Sequence, residues 1–460
     1  MTVTAQTTSS FGDMHDPTSA AYKKARRKHW KSTRNRPEHA DADWTPFRAA
    51  EKKYKARFPP PDLSDVLDLA LTPSRAAETA RGAWKGRTDA VECREIPLHS
   101  SEGEDGRKAY VFPGTPGLVL LPSFVPHDEQ RRLVRWALRD HARDPNETNL
   151  DTHYLIPRDG LWNHYLRVRK AECEDVDIPP CASLQAPSEA SPNVLPSSLP
   201  TVEPPGPRKL IANEPAGPDN YQALTNTPKL PAPPSQSLHP VPISTLVPKL
   251  RWANIGWYYH WGTKQYDFSR GPGEIASLVR GVCKSAVRRI PWEMVFGDSI
   301  DSETGWGEAG PEWTKWNETY EPDAGIVNFY QTKDTLMAHV DRSEICATSP
   351  LVSISLGCAA VFLIGGLTRD DPPTPIILRS GDVVIMSGPA CRRAYHGVPR
   401  ILEGTLPPHL EGPDANTSSP DEDDWEVYEE YLRGTRINVN VRQVFPKGFD
   451  PMLDVDETKE

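Results

Sequence analysis

The chain has 460 residues, among them 48 prolines, and a formal net charge of −10. Its length allows about three domains, but the proline share is roughly twice the usual value, so part of the chain is expected to lie outside any core. The acidic balance argues against nonspecific binding of nucleic acid over the whole surface and leaves room for a local basic face.

The seven cysteines lie far apart and form no C-x-x-C pair. This predicts a reducing compartment and neither a disulfide framework nor a zinc module. No apolar run reaches the roughly 20 residues of a membrane span, and no apolar signal segment follows Met1. We expect an intracellular protein with no membrane partner. Asp13 and Asp16 argue against a mitochondrial presequence, so nucleus and cytoplasm are the expected locations, with the mitochondrion as the alternative.

Residues 1–44 are predicted to be a disordered leader with a basic cluster between Lys23 and Arg36. Two functions fit such a cluster, a nuclear-import signal and an arm that grips phosphates. The alternative is the solvated face of a charged helix, with Tyr22 and Trp30 packed beneath it.

Residues 45–110 are predicted to form a helical N-terminal extension, and the catalytic domain is predicted to span residues 111–450. A short buried strand within 116–122 leads into a helix over 127–142, whose apolar residues recur at helical spacing. Residues 149–165 are polar and aromatic without a clean period, which indicates a loop or lid.

Residues 178–249 are rich in Pro, Ser, Ala and Thr. Such a segment buries too little apolar area to offset its ordering entropy, so we predict a disordered insertion within the domain. It is expected to act as a spacer, with a proline-recognising partner as the alternative.

Strand character resumes at 250–261, where so many aromatic residues follow one another that some must face a cleft. Flat rings at a cleft suit the stacking of bases, so this stretch is predicted to belong to an aromatic nucleotide-recognition lid. An amphipathic helix is predicted over 272–287 and a Trp-rich loop over 305–320.

After residue 324 the chain becomes a run of short strands at spacings of about 8–12 residues, separated by turn signals. This pattern is typical of a double-sheet jelly roll. The predicted fold class is therefore α+β, mainly β, with a double-stranded β-helix (jelly roll) core and flanking helices. Residues 404–430 are predicted to be an acidic loop and 451–460 an acidic tail.

The central motif is His339-Val340-Asp341, which can present an imidazole and a carboxylate to one metal. A third ligand is expected at His396, 55 residues after Asp341, which leaves room for about four short strands before the chain returns to the metal. Two His and one carboxylate on one face of an octahedron are typical of non-haem Fe(II) oxygenases.

The strand Arg436–Arg442 predicts a co-substrate site. Arg436, Asn438 and Arg442 share one face, and Ile437, Val439 and Val441 share the other. Two buried guanidiniums need anionic partners, and a dicarboxylate between them matches their geometry. Asn328 and Tyr330, two residues apart on another strand, can add hydrogen bonds to the same anion.

Together, H-x-D, the later His and R-x-N-x-x-x-R preceded by N-x-Y resemble the AlkB family of Fe(II)/2-oxoglutarate dioxygenases, most closely its AlkB homologue one branch. The resemblance covers about residues 45–70, 115–165 and 250–445. It implies that Fe(II) is held by His339, Asp341 and His396. It implies that 2-oxoglutarate is held by Asn328, Tyr330, Arg436, Asn438 and Arg442. It also implies a base pocket, which we place at Trp162, Trp257, Tyr258 and Tyr259.

The implied activity is oxidative N-demethylation of nucleic-acid bases with O₂ as the oxidant, and 1-methyladenosine in tRNA is the first expected substrate. The alternatives within this chemistry are demethylation of DNA N6-methyladenine and repair of alkylated DNA. A protein oxygenase and a non-catalytic nucleic-acid binder are alternatives of another class. We expect a monomer.

Overall fold

The protein is described from a computed structural model over residues 16–35, 43–72, 75, 78, 84–89, 91–99, 106–181, 216–217, 220–227, 229, 235, 237–297, 306, 312–412 and 424–445. Two antiparallel sheets face each other and helices flank them, which confirms the predicted jelly-roll core. No helix within these ranges is both long and apolar enough to cross a membrane.

Sixteen strands form four sheets within the described residues. In chain order they are β1 Arg94–Pro97, β2 Lys108–Val111, β3 Leu118–Leu121, β4 Asp177–Ile178, β5 Val241–Pro242, β6 Trp252–Gly256, β7 Tyr258–His260, β8 Gln265–Asp267, β9 Ala324–Gln331, β10 Leu336–His339, β11 Leu351–Gly357, β12 Ala360–Ile364, β13 Thr374–Leu378, β14 Val383–Met386, β15 His396–Ile401 and β16 Thr435–Arg442. The major sheet has the order β1-β2-β3-β14-β11-β16-β9-β6, and the minor sheet has the order β10-β15-β12-β13. Two ribbons, β4-β5 and β7-β8, complete the set.

The described helices are mostly short. They are α1 Ala20–Thr33, α2 Pro46–Lys55, α3 His127–Arg135, α4 Gly160–Arg169, α5 Tyr221–Asn226, α6 Ile243–Leu246, α7 Ser277–Arg288, α8 Trp292–Phe296, α9 Trp316–Thr319, α10 Gly388–Arg392 and α11 Trp425–Leu432. A π-helical turn, Trp136–His141, continues α3.

The alternation of residues along β16 decides the packing of the major sheet. Ile437, Val439 and Val441 are fully buried in a core that the sheet shares with α3, α7 and α11. The other face of the sheet meets the minor sheet, so that Tyr330 of β9 lies in one apolar cluster with Phe362 of β12. The polar residues of β16 therefore point into the space between the sheets.

The outer face of the minor sheet is covered by α2. Phe47 and Tyr54 of this helix pack against Val361 and Leu363 of β12. The helix begins at the N-cap Thr45, whose side chain accepts a hydrogen bond from the backbone N–H of Arg48. This places α2 directly behind β10 and β15.

The N-terminal extension is more than the helical segment predicted for residues 45–110, because β1 and β2 continue the major sheet. Buried ion pairs also join it to the jelly roll. Asp68 and Arg379 are both fully buried and lie 2.7 Å apart, and Arg75 pairs with Asp382 at 2.8 Å. The extension and the jelly roll thus share one interior.

The proline-rich insertion predicted at 178–249 differs from the structure at both ends. Ile178 pairs with Val241 in the β4-β5 ribbon, and Ile243 and Leu246 are fully buried. Residues 182–215 lie outside the described residues. The insertion is therefore shorter than its composition indicated, because its last apolar residues find a core.

Four other predictions also differ from the structure, in whole or in part. The loop or lid predicted at 149–165 consists of turns up to residue 159, but residues 160–165 belong to α4, and the loop at 305–320 contains α9, whose Trp316 is buried. The leader contains the helix α1, in which Trp30 remains 60% exposed instead of packing beneath the charged face. The described part of the acidic loop includes the start of α11.

Candidate metal centre

His339 and His396 lie side by side on neighbouring strands of the minor sheet. His339 is the last residue of β10 and is paired with His396, the first residue of β15. Their ring centroids are 4.3 Å apart. Asp341 follows two residues after β10, with its Oδ1 3.7 Å from His339 Nε2. One ligand atom from each of the three side chains lies within 4.8 Å of the others, so the predicted triad converges.

The hydrogen bonds of the two imidazoles leave the correct nitrogen free for a metal. His339 Nδ1 lies 3.0 Å from the carbonyl oxygen of Met337, and His396 Nδ1 lies 3.1 Å from that of Ala394. Because a carbonyl only accepts, each Nδ1 must carry the proton, and each Nε2 keeps a lone pair. With the carboxylate, this donor set suits a divalent ion such as Fe(II) and leaves coordination positions open.

The surrounding charges favour the ligating protonation states. Burial alone would raise the pKa of Asp341, but Arg442, the two imidazoles and Arg392 outweigh it and hold this pKa well below its usual range. Burial, reinforced by neighbouring His339, lowers the pKa of His396 to about 4. At neutral pH the site therefore presents a carboxylate and a neutral imidazole of His396 without a proton to displace.

Arg436 gives the strongest indication of a site for an anionic co-substrate. It is 1% exposed, its Nη2 donates to Ser355 Oγ at 2.9 Å, and its Nε and Nη1 have no hydrogen-bond partner among the described residues. Burial lowers its pKa to about 10, so it stays charged at neutral pH. Two unpartnered N–H groups on a buried guanidinium are costly unless an anion accepts them, and one carboxylate of a diacid fits that need.

The other predicted co-substrate residues lie around Arg436. Tyr330 is its register partner on β9, and Asn328 is the partner of Asn438. Asn438 donates to Ser353 Oγ at 2.8 Å and to the carbonyl of Ile354 at 3.1 Å, which fixes the position of its amide. Neighbouring strands of the major sheet thus bring these side chains to one internal surface.

Arg442 lies at the metal end of the same strand. Its Nη1 donates to Asp341 Oδ2 at 3.1 Å and to Glu344 Oε1. Arg436 is six residues away on the same face of β16, so both side chains lie on the same side of the major sheet. A small diacid bound by both guanidiniums would have one end towards the metal.

Two further residues of the site were not predicted. Arg392 of α10 is 1% exposed, its Nη1 lies 4.0 Å from Asp341 Oδ2, and within the described part of the chain neither Nη atom has a hydrogen-bond partner. Glu344 is 1% exposed and pairs with Arg442. Their signals in the sequence were present, since Arg392 precedes His396 by four residues and Glu344 follows Asp341 by three residues.

The structure separates the predicted base-pocket residues. Tyr259 is hydrogen-bonded to Ser343, two residues after Asp341, and burial raises its pKa to about 12. Tyr258 points to the other side, beneath the guanidinium of Arg270 at 3.8 Å. Trp257 packs edge-on against Phe268 in a small core. Only Tyr259 of this run therefore lies beside the triad.

Trp162 is not brought to the metal centre. It is 3% exposed and packs in the main core against Tyr428 and Tyr431 of α11. A stacked pair made of the exposed Trp261 and the half-buried Trp252 lies near Tyr259. Trp261 is 40% exposed, stacks on Trp252 at a centroid distance of 4.9 Å and meets Tyr259 edge-on at 5.0 Å.

Residues 219–442 match the 2OG-Fe(II) oxygenase superfamily. This range includes the three candidate metal ligands and all five candidate 2-oxoglutarate residues. The matched range thus contains the strands that carry these candidate residues.

Several characterised proteins are similar to most of this chain. A DNA N(6)-methyladenine demethylase of Arabidopsis thaliana, ALKBH1A, is 27% identical over 418 residues, which cover 88% of this chain and 97% of the relative. The tRNA demethylase abh1 of Schizosaccharomyces pombe is 28% identical over 87% of this chain and 96% of the relative. An N6-methyladenosine RNA demethylase of Cryphonectria parasitica is 32% identical over 43% of this chain and 76% of the relative.

Proposed function

Because the chain belongs to the AlkB family of 2OG-Fe(II) oxygenases, which use Fe(II), 2-oxoglutarate and O₂, we propose that it is an oxidative demethylase of N-methylated nucleic-acid bases. One observation carries this proposal: a complete His-Asp-His set occurs together with the buried Arg436, two of whose N–H groups have no partner among the described residues. A binder with a vestigial site would have no need to keep either feature.

Different residues of the site would bind the metal and the diacid. Nε2 of His339 and of His396, with the carboxylate of Asp341, would hold Fe(II), while Arg436 and Arg442 would orient the diacid. With Fe(II) bound, 2-oxoglutarate and O₂ supply the oxidising power that removes hydrogen from an N-methyl carbon, with succinate, CO₂ and formaldehyde as the products. Leu336, Phe362 and Val398 pack in one apolar cluster with Tyr330 and would limit the access of water to the co-substrate.

The aromatic side chains beside Asp341 favour a base as the substrate. Tyr259 and Trp261 belong to the β7-β8 ribbon, and Ser343 Oγ donates to the carbonyl of Lys264 in its turn at 2.8 Å. The ribbon is thereby bonded to the loop that carries Asp341. A flipped or unpaired base needs flat partners close to the reacting centre, and these rings can provide them.

Our first choice of substrate is 1-methyladenosine in tRNA, and the second is N6-methyladenine in DNA. Relatives of comparable identity and coverage are named for tRNA and for DNA, so the relatives alone do not rank the two. The exposed position of Trp261 favours a single-stranded or looped target, since a base must leave its helix to reach the rings.

The test compares substrates on the Fe(II)-loaded full chain. Formaldehyde and succinate release is measured with tRNA carrying 1-methyladenosine, DNA carrying N6-methyladenine, RNA carrying N6-methyladenosine, and a panel of protein peptides. We expect turnover with at least one nucleic acid and fastest with the tRNA. Turnover with peptides alone would replace the proposal by a protein oxygenase. Iron binding without any 2-oxoglutarate turnover would favour the non-catalytic binder.

A further inference from the structure

The helix α1 lies on the same side of the molecule as the strand that carries His339. It begins at Ser19, whose Oγ accepts a hydrogen bond from the backbone N–H of Tyr22 at 3.0 Å. Tyr22 meets Phe58 edge-on at a centroid distance of 5.0 Å, and His29 lies 5.7 Å from the same ring. Because Tyr22 and His29 are two helical turns apart, one face of α1 is held against the body of the protein.

The opposite face of α1 carries an unusual charge. At 100° per residue, Lys24, Arg27, Lys28 and Lys31 lie on the side away from Tyr22, and all four are exposed. The helix contains no acidic residue. Within the described part of the chain, no carboxylate lies within ion-pair distance of these four cations. A chain with a net charge of −10 thus concentrates unpaired positive charge on one exposed face.

A short chain of contacts connects this face to the metal centre. Phe58 follows Arg57, whose Nη2 donates to the carbonyl of Thr332 at 3.0 Å, and Lys55 Nζ donates to Thr335 Oγ1 at 3.2 Å. Thr332–Thr335 is the turn between β9 and β10, and β10 ends at His339. These contacts connect α1 through Phe58 and its neighbours to the turn that leads into the metal ligands, and the basic face of the helix points outwards.

We propose that the exposed face of α1 binds the phosphate backbone of an RNA substrate while one of its bases occupies the metal centre. This inference rests on the proposed function and names the contact that would hold the body of the RNA. Lys and Arg side chains that neutralise phosphates release the counterions bound to the nucleic acid, and this release favours binding. Trp30, 60% exposed with the Arg34 guanidinium 5.6 Å from its ring, adds a surface on which an unpaired base can stack.

The test removes the charge without disturbing the helix. The helix variant carries Lys24→Gln, Arg27→Gln, Lys28→Gln and Lys31→Gln. Glutamine is a good helix former, and all four positions are exposed, so the helix should be retained. A matched control removes four exposed cations elsewhere, by Lys85→Gln, Arg158→Gln, Lys170→Gln and Lys249→Gln. A third variant keeps the charge by exchanging Lys and Arg at the four helix positions.

Binding of an unmodified tRNA transcript to the full chain is measured between 50 and 200 mM salt. We expect the helix variant to bind at least about tenfold more weakly at the lowest salt, with the salt dependence reduced by roughly two to three units of log Kd per log salt. The charge-keeping variant should bind like wild type and the matched control nearly so. Equal losses in the helix variant and the matched control would overturn the inference, as would no loss in the helix variant.

A second measurement separates this inference from the proposed function. Formaldehyde release from a methylated trinucleotide, too short to reach α1, should be the same in wild type and in the helix variant. If the wild type releases none from any nucleic acid while tRNA binding still depends on α1, the proposed function fails and the binding surface stands. If the helix variant loses affinity only for duplex DNA and keeps it for tRNA, the assignment to RNA is overturned.

Discussion

The buried carboxylate of Glu51 accepts a hydrogen bond from the backbone N–H of Ala338 at 2.6 Å, one residue before the metal ligand His339. The register between β10 and β15 shifts between Leu336 and His339, so this N–H is available to a side chain. Arg369 donates to the carbonyl of the same Ala338 at 3.1 Å. Two side chains from outside the sheet therefore fix the irregular end of the strand that presents His339.

Glu51→Ala is expected to loosen this end of β10. A lost hydrogen bond to a charged acceptor and an unpaired Ala338 N–H should lower the free energy of unfolding by about 1.5–3 kcal/mol. Iron affinity should fall by roughly tenfold, as is typical for residues that support a metal ligand. Urea unfolding of the metal-free protein and competition with a chelator measure the two effects. Glu51→Gln, which keeps an acceptor, should lose less of both; equal loss in the two variants would contradict the argument.

Arg436→Gln is expected to raise the Kd for 2-oxoglutarate by roughly ten- to a hundredfold, because a buried charge-assisted hydrogen bond contributes about 1.5–3 kcal/mol. Iron affinity should be unchanged, since Arg436 bonds Ser355 and none of the three ligands. Calorimetry on Mn(II)-loaded protein without O₂ measures both. Arg433→Gln, at a side chain 62% exposed three residues earlier, is the control and should have no effect.

Arg442→Gln is expected to behave differently from Arg436→Gln. Its guanidinium bonds Asp341, so its loss should weaken iron retention as well as 2-oxoglutarate binding, again by about ten- to a hundredfold for the diacid. Iron is measured by chelator competition and the diacid by the calorimetric titration. Unchanged 2-oxoglutarate affinity would remove Arg442 from the co-substrate site and leave it only a positioning role for Asp341.

Tyr259→Ala is expected to raise the KM for a methylated nucleic acid by roughly five- to a hundredfold, since stacking of one base contributes about 1–3 kcal/mol. The KM for 2-oxoglutarate should stay constant. Tyr258→Ala is the matched control, because its ring faces Arg270 on the other side of the strand and should leave both values unchanged. A Tyr259→Ala protein that unfolds while Tyr259→Phe remains fully active would indicate that the ring is core, as the protein-oxygenase alternative predicts.

His141 is expected to make stability depend on pH. Its Nε2 donates to the carbonyl of Asn254 at 2.9 Å, and burial lowers its pKa to about 4. The neutral form is the one that fits the fold, so its contribution is complete above the unfolded pKa of about 6.5 and is lost as the pH falls towards 4. Urea unfolding from pH 7.5 to 4.5 should show a steeper loss in wild type than in His141→Gln. Parallel curves would exclude this residue as the source.

Regular patterns in the sequence were enough to predict the sheets and the converging triad. Alternation along 436–442 gave the correct inward face of β16, since the three apolar residues of that strand are fully buried. The separation of His339 and His396 fits their positions as direct neighbours across two strands. These features are local or periodic. Successive side chains of a strand point to opposite faces of the sheet, so alternation in the sequence predicts which residues share a face.

Contacts between distant segments were not predictable in the same way. Glu51 and Ala338 are 287 residues apart, and nothing in either segment indicates the other. Trp162 was placed in the base pocket because aromatic residues near a cleft and in a core look alike in a sequence. Its spacing of four residues from Leu166, with both side chains buried on one helix, was the signal for the core.

The pairing of Asp68 with Arg379 bears on where this protein can be cut. A fragment that starts at the jelly roll, near residue 111, would retain Arg379 and Asp382 in its interior and lose the carboxylate and the guanidinium that neutralise them. A recombinant enzyme intended for crystallisation should therefore begin ahead of Thr45, because the first quarter of the chain supplies Asp68 and Arg75, which are two of the four charges in these buried ion pairs.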